Sequence, residues 1–290
     1  MRRLLGEFKS SERHVCELMA VSRSSGRYRS RRDDSRIQER LRELAREHPR
    51  FGYRRLYLYL REEMTVNHKK VQRVYRELGL SVKRTGRKHL RRALQPRPAL
   101  TAPRQEWALD FASDVTAAGQ RFRVLGVIDG FTRQSLVLDT STSFPSRRVT
   151  RELERAMAAH GKPHAIRCDN GPELTSRHIL AWALDWKIEL RHIQPGKPTQ
   201  NAHVESFHGR LREECLRVSW FTNLFDARRK IAGWRVEYNE QRPHSSLGYK
   251  TPAEFARAAL TLSYGKDVGS AHFENADGVS NFPTASAAAG

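Results

Sequence analysis

Two stretches decide the fold, Cys168-Asp169-Asn170-Gly171-Pro172-Glu173 and Asn201-Ala202-His203-Val204-Glu205-Ser206-Phe207. Asp169 ends a short apolar run, Glu205 lies in a segment of helical periodicity, and 35 residues separate the two acids. A third acid, Asp110, lies within an apolar run that alternates like a strand. Carboxylates are natural ligands of hard divalent cations, and pairs of such cations promote phosphoryl transfer on nucleic acid. The three acids therefore predict a site for two metal ions, although their spacing also fits ordinary turn and surface positions.

The residues around these acids predict a mixed α/β sheet covered by helices. Three consecutive runs rich in Val, Leu and Ile indicate antiparallel strands, and in the first of them Asp110 shares a face with Ala108 and Ala112. Further strands alternate with helical segments, which gives the order β-β-β-α-β-α-β-α. The predicted strands span residues 106–112, 121–129, 134–139, 164–169 and 188–193, and the predicted helices span residues 146–160, 176–186 and 201–218.

The last of these helices, residues 201–218, combines a metal ligand with groups suited to DNA. Glu205, His208 and Arg212 share one of its faces, so we assign His208 and Arg212 to DNA contact. Gly209 costs about 1 kcal/mol relative to alanine, which suggests that something approaches the helix closely there. A plainer interpretation makes Glu205 and Arg212 surface residues. The predicted buried stripe consists of Val204, Phe207, Leu211, Cys215 and Val218.

The positive charge of the chain is concentrated in its first hundred residues. Of a net charge of +21, residues 1–100 carry +17, from 28 Lys and Arg against 11 Asp and Glu. Such asymmetry is typical of a basic binding domain joined to a nearly neutral folded domain. The length of 290 residues fits roughly two domains. Nucleic acid is the expected partner.

Residues 35–82 of the basic region predict a three-helix module. Its third helix has the clearest signals, with Asn67 as N-cap, Val66 placed to pack against Val71, and Gly79 as the stop. A short basic helix after a turn is typical of a recognition helix in the major groove. An ordinary helical bundle with a solvated basic face fits the same pattern. The residues of this helix assigned to DNA are Lys69, Lys70, Arg73 and Arg76.

A basic linker is predicted to follow this module, over residues 83–104. Residues 83–97 contain seven basic residues and no acid, and prolines accompany them. An extended basic segment of this kind tracks phosphates without reading base sequence. The linker residues assigned to DNA are Lys83, Arg84, Arg87, Lys88, Arg91 and Arg92.

Cysteine content and hydropathy exclude other classes of protein. Cys16, Cys168 and Cys215 are odd in number, lie far apart and form no C-x-x-C pair, so neither a disulfide framework nor a structural zinc site is indicated. The aliphatic runs are too short for a membrane span, and acids interrupt the region where a secretory signal would lie. We therefore expect a cytoplasmic, nucleoid-associated protein of a bacterium.

The motifs around the three acids resemble the DDE motif of retroviral-integrase-type transposases. The likeness lies in Trp107-x-x-Asp110, Asp169-Asn170-Gly171-Pro172-Glu173 and Asn201-x-x-x-Glu205-Ser206-Phe207, with Arg212 seven residues beyond the glutamate. The segment from Tyr238-Asn239-Glu240-Gln241-Arg242-Pro243-His244 to Pro252 is similar to the second-frame, OrfB-type transposase of the insertion sequence 3 family. Residues 48–55 and 66–71 resemble the helical module that precedes the core in that family.

This resemblance implies both a fold and a reaction. The fold is an RNase H-like mixed sheet flanked by helices, preceded by a small all-α helix-turn-helix-like domain. Asp110, Asp169 and Glu205 are the implied catalytic acids, holding two Mg²⁺ ions, or Mn²⁺ in their place. The implied reaction is strand cleavage at the ends of an insertion element and transfer of the freed 3′-hydroxyl to a phosphodiester. A homo-oligomer on DNA, and fusion to or action with an upstream-frame helix-turn-helix protein, are implied partners.

Two other functions stay open at this level. One is a catalytically inactive DNA-binding remnant or regulator of transposition, and the other is an RNase H-type nuclease that cuts without joining. The three intact acids favour a transposase over the remnant, and the basic front region favours it over the nuclease. The expected domains are a basic N-terminal segment with a short helix (1–34), a helix-turn-helix-like domain (35–82), a linker (83–104), the catalytic core with a helical extension (105–260) and a disordered tail (261–290).

Overall fold

The computed structural model describes residues 11–27, 33–82, 99–194 and 201–271. The chain divides into two compact units, Met1–Lys88 and His89–Gly290. In its described part the first unit contains helices and no strand, as the sequence predicts. These helices are α1 (Glu12–Leu18), α2 (Arg23–Arg27), α3 (Ser35–Glu47), α4 (Tyr53–Glu63) and α5 (His68–Glu77).

Helices α3, α4 and α5 enclose one small core. Leu41, Leu56 and Val71, one from each helix, are fully buried within it. The signals predicted for α5 are confirmed: the Asn67 side chain accepts the Lys69 backbone N–H at 2.8 Å, and Gly79 has a φ of +67°, which favours glycine over other residues.

The second unit is built on one five-stranded sheet with the order β3-β2-β1-β4-β5. The first three strands pair antiparallel, whereas β4 and β5 join β1 in parallel, so the predicted mixed, RNase H-like sheet is confirmed. Its elements are β1 (Glu106–Val115), β2 (Arg121–Asp129), β3 (Ser135–Ser141), α6 (Ser146–His160), β4 (Ala165–Cys168), α7 (Arg177–Asp185), β5 (Glu189–His192), α8 (Ala202–Leu211), α9 (Leu224–Glu240) and α10 (Pro252–Ala271).

Strand β1 divides the core between the two faces of the sheet. Trp107 and Leu109 pack on the face covered by α6 and α7. Ala108 and Ala112 lie on the opposite face, where α8 and α9 pack. Because alternate residues of a strand share a face, Asp110 lies between these two alanines, on the α8 side. Their small side chains allow a helix to approach Asp110.

A buried ion-pair network joins the three strands at the parallel side of the sheet. Glu106 of β1 is 2% exposed and accepts two hydrogen bonds from Arg167 of β4, at 3.0 and 2.7 Å. Arg191 of β5 donates to the same carboxylate at 3.1 Å. The network compensates a buried charge and fixes β4 and β5 beside β1.

Helix α9 covers the outer edge of the sheet. The Asn239 side chain bonds both backbone groups of Ser135, at 2.9 and 3.0 Å. Arg235 donates to the carbonyl of Ser135, and Arg228 donates to that of Thr140 at 2.8 Å. Side chains of α9 thus form hydrogen bonds with backbone groups of the edge strand β3. Left unpaired, such groups could bind a strand of another chain and cause aggregation.

One sequence prediction, the extent of the helix that carries Glu205, needs correction here. Helix α8 ends at Leu211 and continues as a π-helical turn, Arg212–Leu216, instead of one helix to residue 218. The wider turn rotates the buried face, so Leu216 is buried while Val218 is 56% exposed. Helix α10 runs to Ala271, so the boundary predicted at residue 261 falls within a helix, and residues 272–290 lie outside the described part. Within the described ranges, no helix has the length and apolar character of a membrane span.

Candidate active site

Asp110 lies near the middle of β1, directly opposite Gly126 of β2, and is partly buried. Its Oδ1 accepts the backbone N–H of Phe111 at 2.8 Å. Its Oδ2 lies 3.2 Å from Nδ1 of His208, and the His208 tautomer that carries its proton on Nδ1 donates this hydrogen bond. The Asp110 carboxylate is therefore oriented from two sides.

Asp169 follows the last residue of β4. The parallel register pairs Ala108 with Arg167, so Asp110 and Asp169 both lie two residues beyond this pair. They are therefore at the same level of neighbouring strands, near the middle of β1 and just past the end of β4. Oδ1 of Asp169 accepts the Gly171 backbone N–H at 3.1 Å. Its carbonyl oxygen lies 3.2 Å from Nδ1 of His192 of β5, which holds the start of the loop against the sheet.

The loop after Asp169 is also fastened to β2. Glu173 forms an ion pair with Arg123, whose guanidinium lies 4.1 Å from the centre of the Phe111 ring. On the other side, the Asn170 side chain donates to the carbonyl of Ile193 at 2.9 Å. Contacts with both neighbours therefore restrain the backbone that carries Asp169.

Glu205 lies in the first turn of α8, beside Asp110. Partial burial and the negative charge of Asp110 raise the pKa of Glu205. Its carboxylate forms no hydrogen bond or ion pair within the part of the chain that the structure describes. Asn201, just before α8, donates to the carbonyl of Leu109 at 3.2 Å and anchors the helix to β1. Glu205 and Asp110 thus lie close to one another between β1 and α8, and within the described residues Glu205 has no cationic partner.

These donors fit a hard cation in their chemistry. Three carboxylates supply the oxygen ligands that Mg²⁺ and Mn²⁺ prefer. Across the described ranges, however, no three His, Cys, Asp or Glu side chains stand close enough together to hold a metal ion. Asp110 and Glu205 interact, while Asp169 lies on the adjacent strand. Convergence of all three acids on metal stays a prediction.

The assignment of His208 to DNA is wrong. The side chain is 2% exposed because it faces the sheet, so it has no access to a phosphate. Gly126 provides the space, since a Cβ atom at that position would lie 2.3 Å from Nε2 of His208. The sequence contained a signal for this contact, because a glycine inside a strand often marks a close approach. At Gly209, by contrast, a Cβ atom would meet nothing within 4 Å.

Two of the four basic residues of the predicted recognition helix, α5, are exposed, and the other two are paired with an acid. Lys70 and Arg73 form ion pairs with the buried Asp34, at 2.8 and 2.5 Å, and these hydrogen bonds lower the pKa of Asp34. Lys69 and Arg76 are exposed. The proposed DNA contacts of these four residues stay predictions.

The remaining residues predicted to contact DNA are Arg212 and the six residues of the linker. Arg212 is exposed at the start of the π-helical turn that follows α8. The linker residues Lys83, Arg84, Arg87, Lys88, Arg91 and Arg92 lie outside the described part of the chain.

Family models match most of the chain. The model described as an integrase core domain matches residues 101–198, and a second integrase core model matches residues 186–252. A model of an HTH-like domain matches residues 31–89. The matched regions thus include both compact units.

Relatives that match most of the chain are proteins of bacterial insertion elements. An uncharacterized 31.7 kDa protein of insertion element IS407 from Burkholderia multivorans is 44% identical over 250 residues, 85% of this chain and 90% of that protein. An uncharacterized 39.2 kDa protein of IS476 from Xanthomonas euvesicatoria is 44% identical over 88% of this chain and 75% of its own. Transposase InsD for IS2D from Escherichia coli is 26% identical over 80% and 82% of the two chains.

Solved structures with similarity to the chain include retroviral integrases. The catalytic core domain of HTLV-2 integrase, in complex with magnesium, aligns at 17% identity and a TM-score of 0.43, covering 53% of this chain and 97% of that one. A chain of the simian T-cell lymphotropic virus intasome aligns at 17% identity and a TM-score of 0.47, covering 74% of each.

Proposed function

The chain belongs to the insertion sequence 3 family of integrase-core transposases, and we propose that it cleaves DNA at its element's ends and joins the freed 3′-hydroxyl to a target strand. In the joining step, the 3′ oxygen bonds to a target phosphorus while the bond from that phosphorus to the target's own 3′ oxygen breaks. The proton of the attacking hydroxyl passes through solvent to the leaving oxygen. The products are a joined strand and a new 3′-hydroxyl.

Asp110, Asp169 and Glu205 are proposed to hold two divalent cations, Mg²⁺ or Mn²⁺. Bound cations of this kind lower the pKa of a hydroxyl nucleophile and neutralise charge on the phosphate. One observation carries the proposal: Glu205 lies beside Asp110, and partial desolvation together with the negative charge of Asp110 raises the pKa of Glu205. Such repulsion is expected where acids are arranged for a metal, and it favours a working site over the inactive remnant.

DNA binding is proposed to involve three basic regions. Lys69, Lys70, Arg73 and Arg76 of α5 would contact element DNA, and Arg212 would contact phosphate near Glu205. The linker residues named above would add contacts that do not depend on base sequence. We further propose that the chain acts as a homo-oligomer on DNA, fused to or working with an upstream-frame helix-turn-helix protein.

A strand-transfer assay tests the function. The full chain is incubated with labelled DNA that carries the element's ends, an unlabelled target, and Mg²⁺. We expect joined products with Mg²⁺ and none after chelation with EDTA. Asp110→Asn and Glu205→Gln should each lower the joining rate by about 1000-fold, because each removes a metal ligand worth several kcal/mol.

Asp185→Asn is the matched control, because Asp185 is an exposed acid at the end of α7. It should join ends at the wild-type rate. Cleavage without any joined product would instead favour the RNase H-type nuclease. Joining that survives EDTA would contradict the metal requirement.

A further inference from the structure

We infer that His208 is a positioning residue for Asp110, with its buried imidazole, admitted by Gly126, fixing the orientation in which that carboxylate binds metal. This inference rests on the proposed function, in which Asp110 is a metal ligand. The sequence predicted that His208 contacts DNA, whereas the inferred role of His208 is to orient a metal ligand.

The strand register explains how the imidazole reaches Asp110. Asp110 and Gly126 are directly paired across β1 and β2, so their faces toward α8 are adjacent. His208 lies over this pair, and a Cβ atom at residue 126 would be 2.3 Å from its Nε2 and 3.3 Å from its Cδ2 and Cε1. A side chain at position 126 and an imidazole at position 208 therefore exclude one another.

Packing alone does not explain why a histidine, and not an apolar residue, occupies position 208. His208 is 2% exposed, and its buried Nε2 has no hydrogen-bond partner among the residues that the structure describes. An unpaired buried nitrogen is unfavourable, and an apolar side chain of similar size avoids it. What only a polar side chain supplies here is the bond from Nδ1 to Oδ2 of Asp110, at 3.2 Å.

The neighbours of His208 fix the direction of that bond. Phe207, the preceding residue, packs edge-on against Tyr238 with ring centres 4.9 Å apart, and against Trp234 at 5.6 Å. These contacts set the rotation of α8 about its axis. With Phe111 N–H on Oδ1 and His208 on Oδ2, Asp110 is held from both sides. Loss of a hydrogen-bond partner behind a metal ligand typically costs 10–100-fold in metal affinity or activity.

The test measures Mn²⁺ binding and folding separately, on the full chain. Mn²⁺ affinity is read from the electron paramagnetic resonance signal of the free ion at constant pH, and the thermal midpoint is measured without metal. His208→Leu keeps the volume but removes the donor. We expect its Mn²⁺ dissociation constant to rise at least about tenfold, with a thermal midpoint no lower than that of wild type. An unchanged dissociation constant would overturn the inference.

Substitutions at Gly126 give an independent test that includes a rescue. Gly126→Ala should displace the imidazole and weaken Mn²⁺ binding as His208→Leu does. His208→Asn should bind Mn²⁺ within about threefold of wild type, because its amide donates from nearly the same position. Asparagine lacks Cε1 and Nε2, so the double variant Gly126→Ala/His208→Asn should recover most of the affinity lost in Gly126→Ala. A double variant no better than Gly126→Ala would contradict the inference.

Two controls separate this inference from the proposed function. Leu211→Val trims a fully buried aliphatic residue of α8 that has no hydrogen-bonding side-chain group, so it should lower the thermal midpoint without changing Mn²⁺ affinity. Asp110→Asn should lose Mn²⁺ affinity outright. If Asp110→Asn binds Mn²⁺ like wild type, the proposed metal site is wrong and the inference fails with it. If Asp110→Asn loses affinity and His208→Leu does not, only the positioning role is wrong.

Discussion

Arg242 and Glu214 form a bidentate ion pair that is almost inaccessible to solvent. Their side chains are 3% and 9% exposed, and the two hydrogen bonds measure 2.7 and 2.6 Å. The pair joins the segment after α9 to the π-helical turn after α8. This contact gives a physical role to the Tyr238–His244 motif, which the sequence associated with the family without explaining it. The pair secures the C-terminal end of the helix that carries Glu205.

Arg242→Leu should lower the free energy of unfolding by about 3–5 kcal/mol, because it leaves the Glu214 charge buried without its partner. Urea denaturation at neutral pH measures the change. The double variant Arg242→Leu/Glu214→Leu should recover most of the loss, since both charges are then absent. A double variant as unstable as the single one would show that packing, and not the charge pair, is responsible.

Single residues were predictable from the sequence where the chemistry was local. Asp110 stands out because an acid is rare inside an apolar strand, whereas Asp169 and Glu205 stand out through the motifs around them. The assignment of all three acids to a metal site stays a prediction. His208 was misassigned because it lies at the border between the buried and the exposed face of α8. Its side chain turns inward because Gly126, on a neighbouring strand, leaves space for the imidazole. Sequence periodicity contains no information on that tertiary contact.

Among the helices, α5 has clear start and stop signals, and the positive charge of two of its basic residues is partly neutralised by Asp34. Its N-cap and its glycine stop depend on a few neighbouring residues, so the sequence predicted both. The partnership of Lys70 and Arg73 with Asp34 spans more than thirty positions and was not predictable. The π-helical turn after α8 was missed for a similar reason, since the packing of Leu216 decides it.

Asp34→Asn should strengthen DNA binding and steepen its salt dependence, because it frees Lys70 for phosphate, while Arg73 keeps its ion pair with Glu77. Lys69→Ala and Arg76→Ala should weaken binding, each reducing the log–log salt slope by up to about 1. Fluorescence anisotropy at several salt concentrations measures both effects. Binding by Lys69→Ala that equals wild type at every salt concentration would count against α5 as the recognition helix.

The same substitution should have a pH-dependent effect on stability. Lys70 and Arg73 lower the pKa of Asp34, so the folded state gains stability from its ionised form above the ordinary aspartate pKa of about 4. That gain is lost as the pH falls through the lowered pKa. Asp34→Asn should therefore lower the thermal midpoint at pH 7, and the difference from wild type should shrink below pH 4. A difference that does not depend on pH would exclude the ion pairs as its cause.

On the scale of the whole molecule, the charge distribution and the order of strands and helices were the most predictable features. The order of strands and helices followed from periodicity and was correct, because each element has a clear apolar pattern. The placement of Asp169 at the same level as Asp110 required the parallel pairing of β1 with β4, which a linear pattern does not specify. Domain boundaries stay predictions.

The net charge of +21 predicts a steep salt dependence of DNA binding by the full chain. Replacing the six named linker residues with glutamine should reduce the log–log slope by up to about 5, at roughly 0.9 per phosphate contact. Base-sequence preference should change little, since these residues are not expected to contact bases. An unchanged slope would show that the linker does not contact DNA.

The central claim is that Asp169 binds a catalytic metal ion, and Asp169→Cys tests it most directly. The measurement is the rate of strand transfer by this variant in Mg²⁺ and in Mn²⁺, because thiolate is a poor ligand for Mg²⁺ and a better one for Mn²⁺. We predict that joining falls by about 1000-fold in Mg²⁺ and recovers at least tenfold in Mn²⁺, beyond any effect of Mn²⁺ on wild type. Wild-type joining by Asp169→Cys in Mg²⁺ would contradict the account.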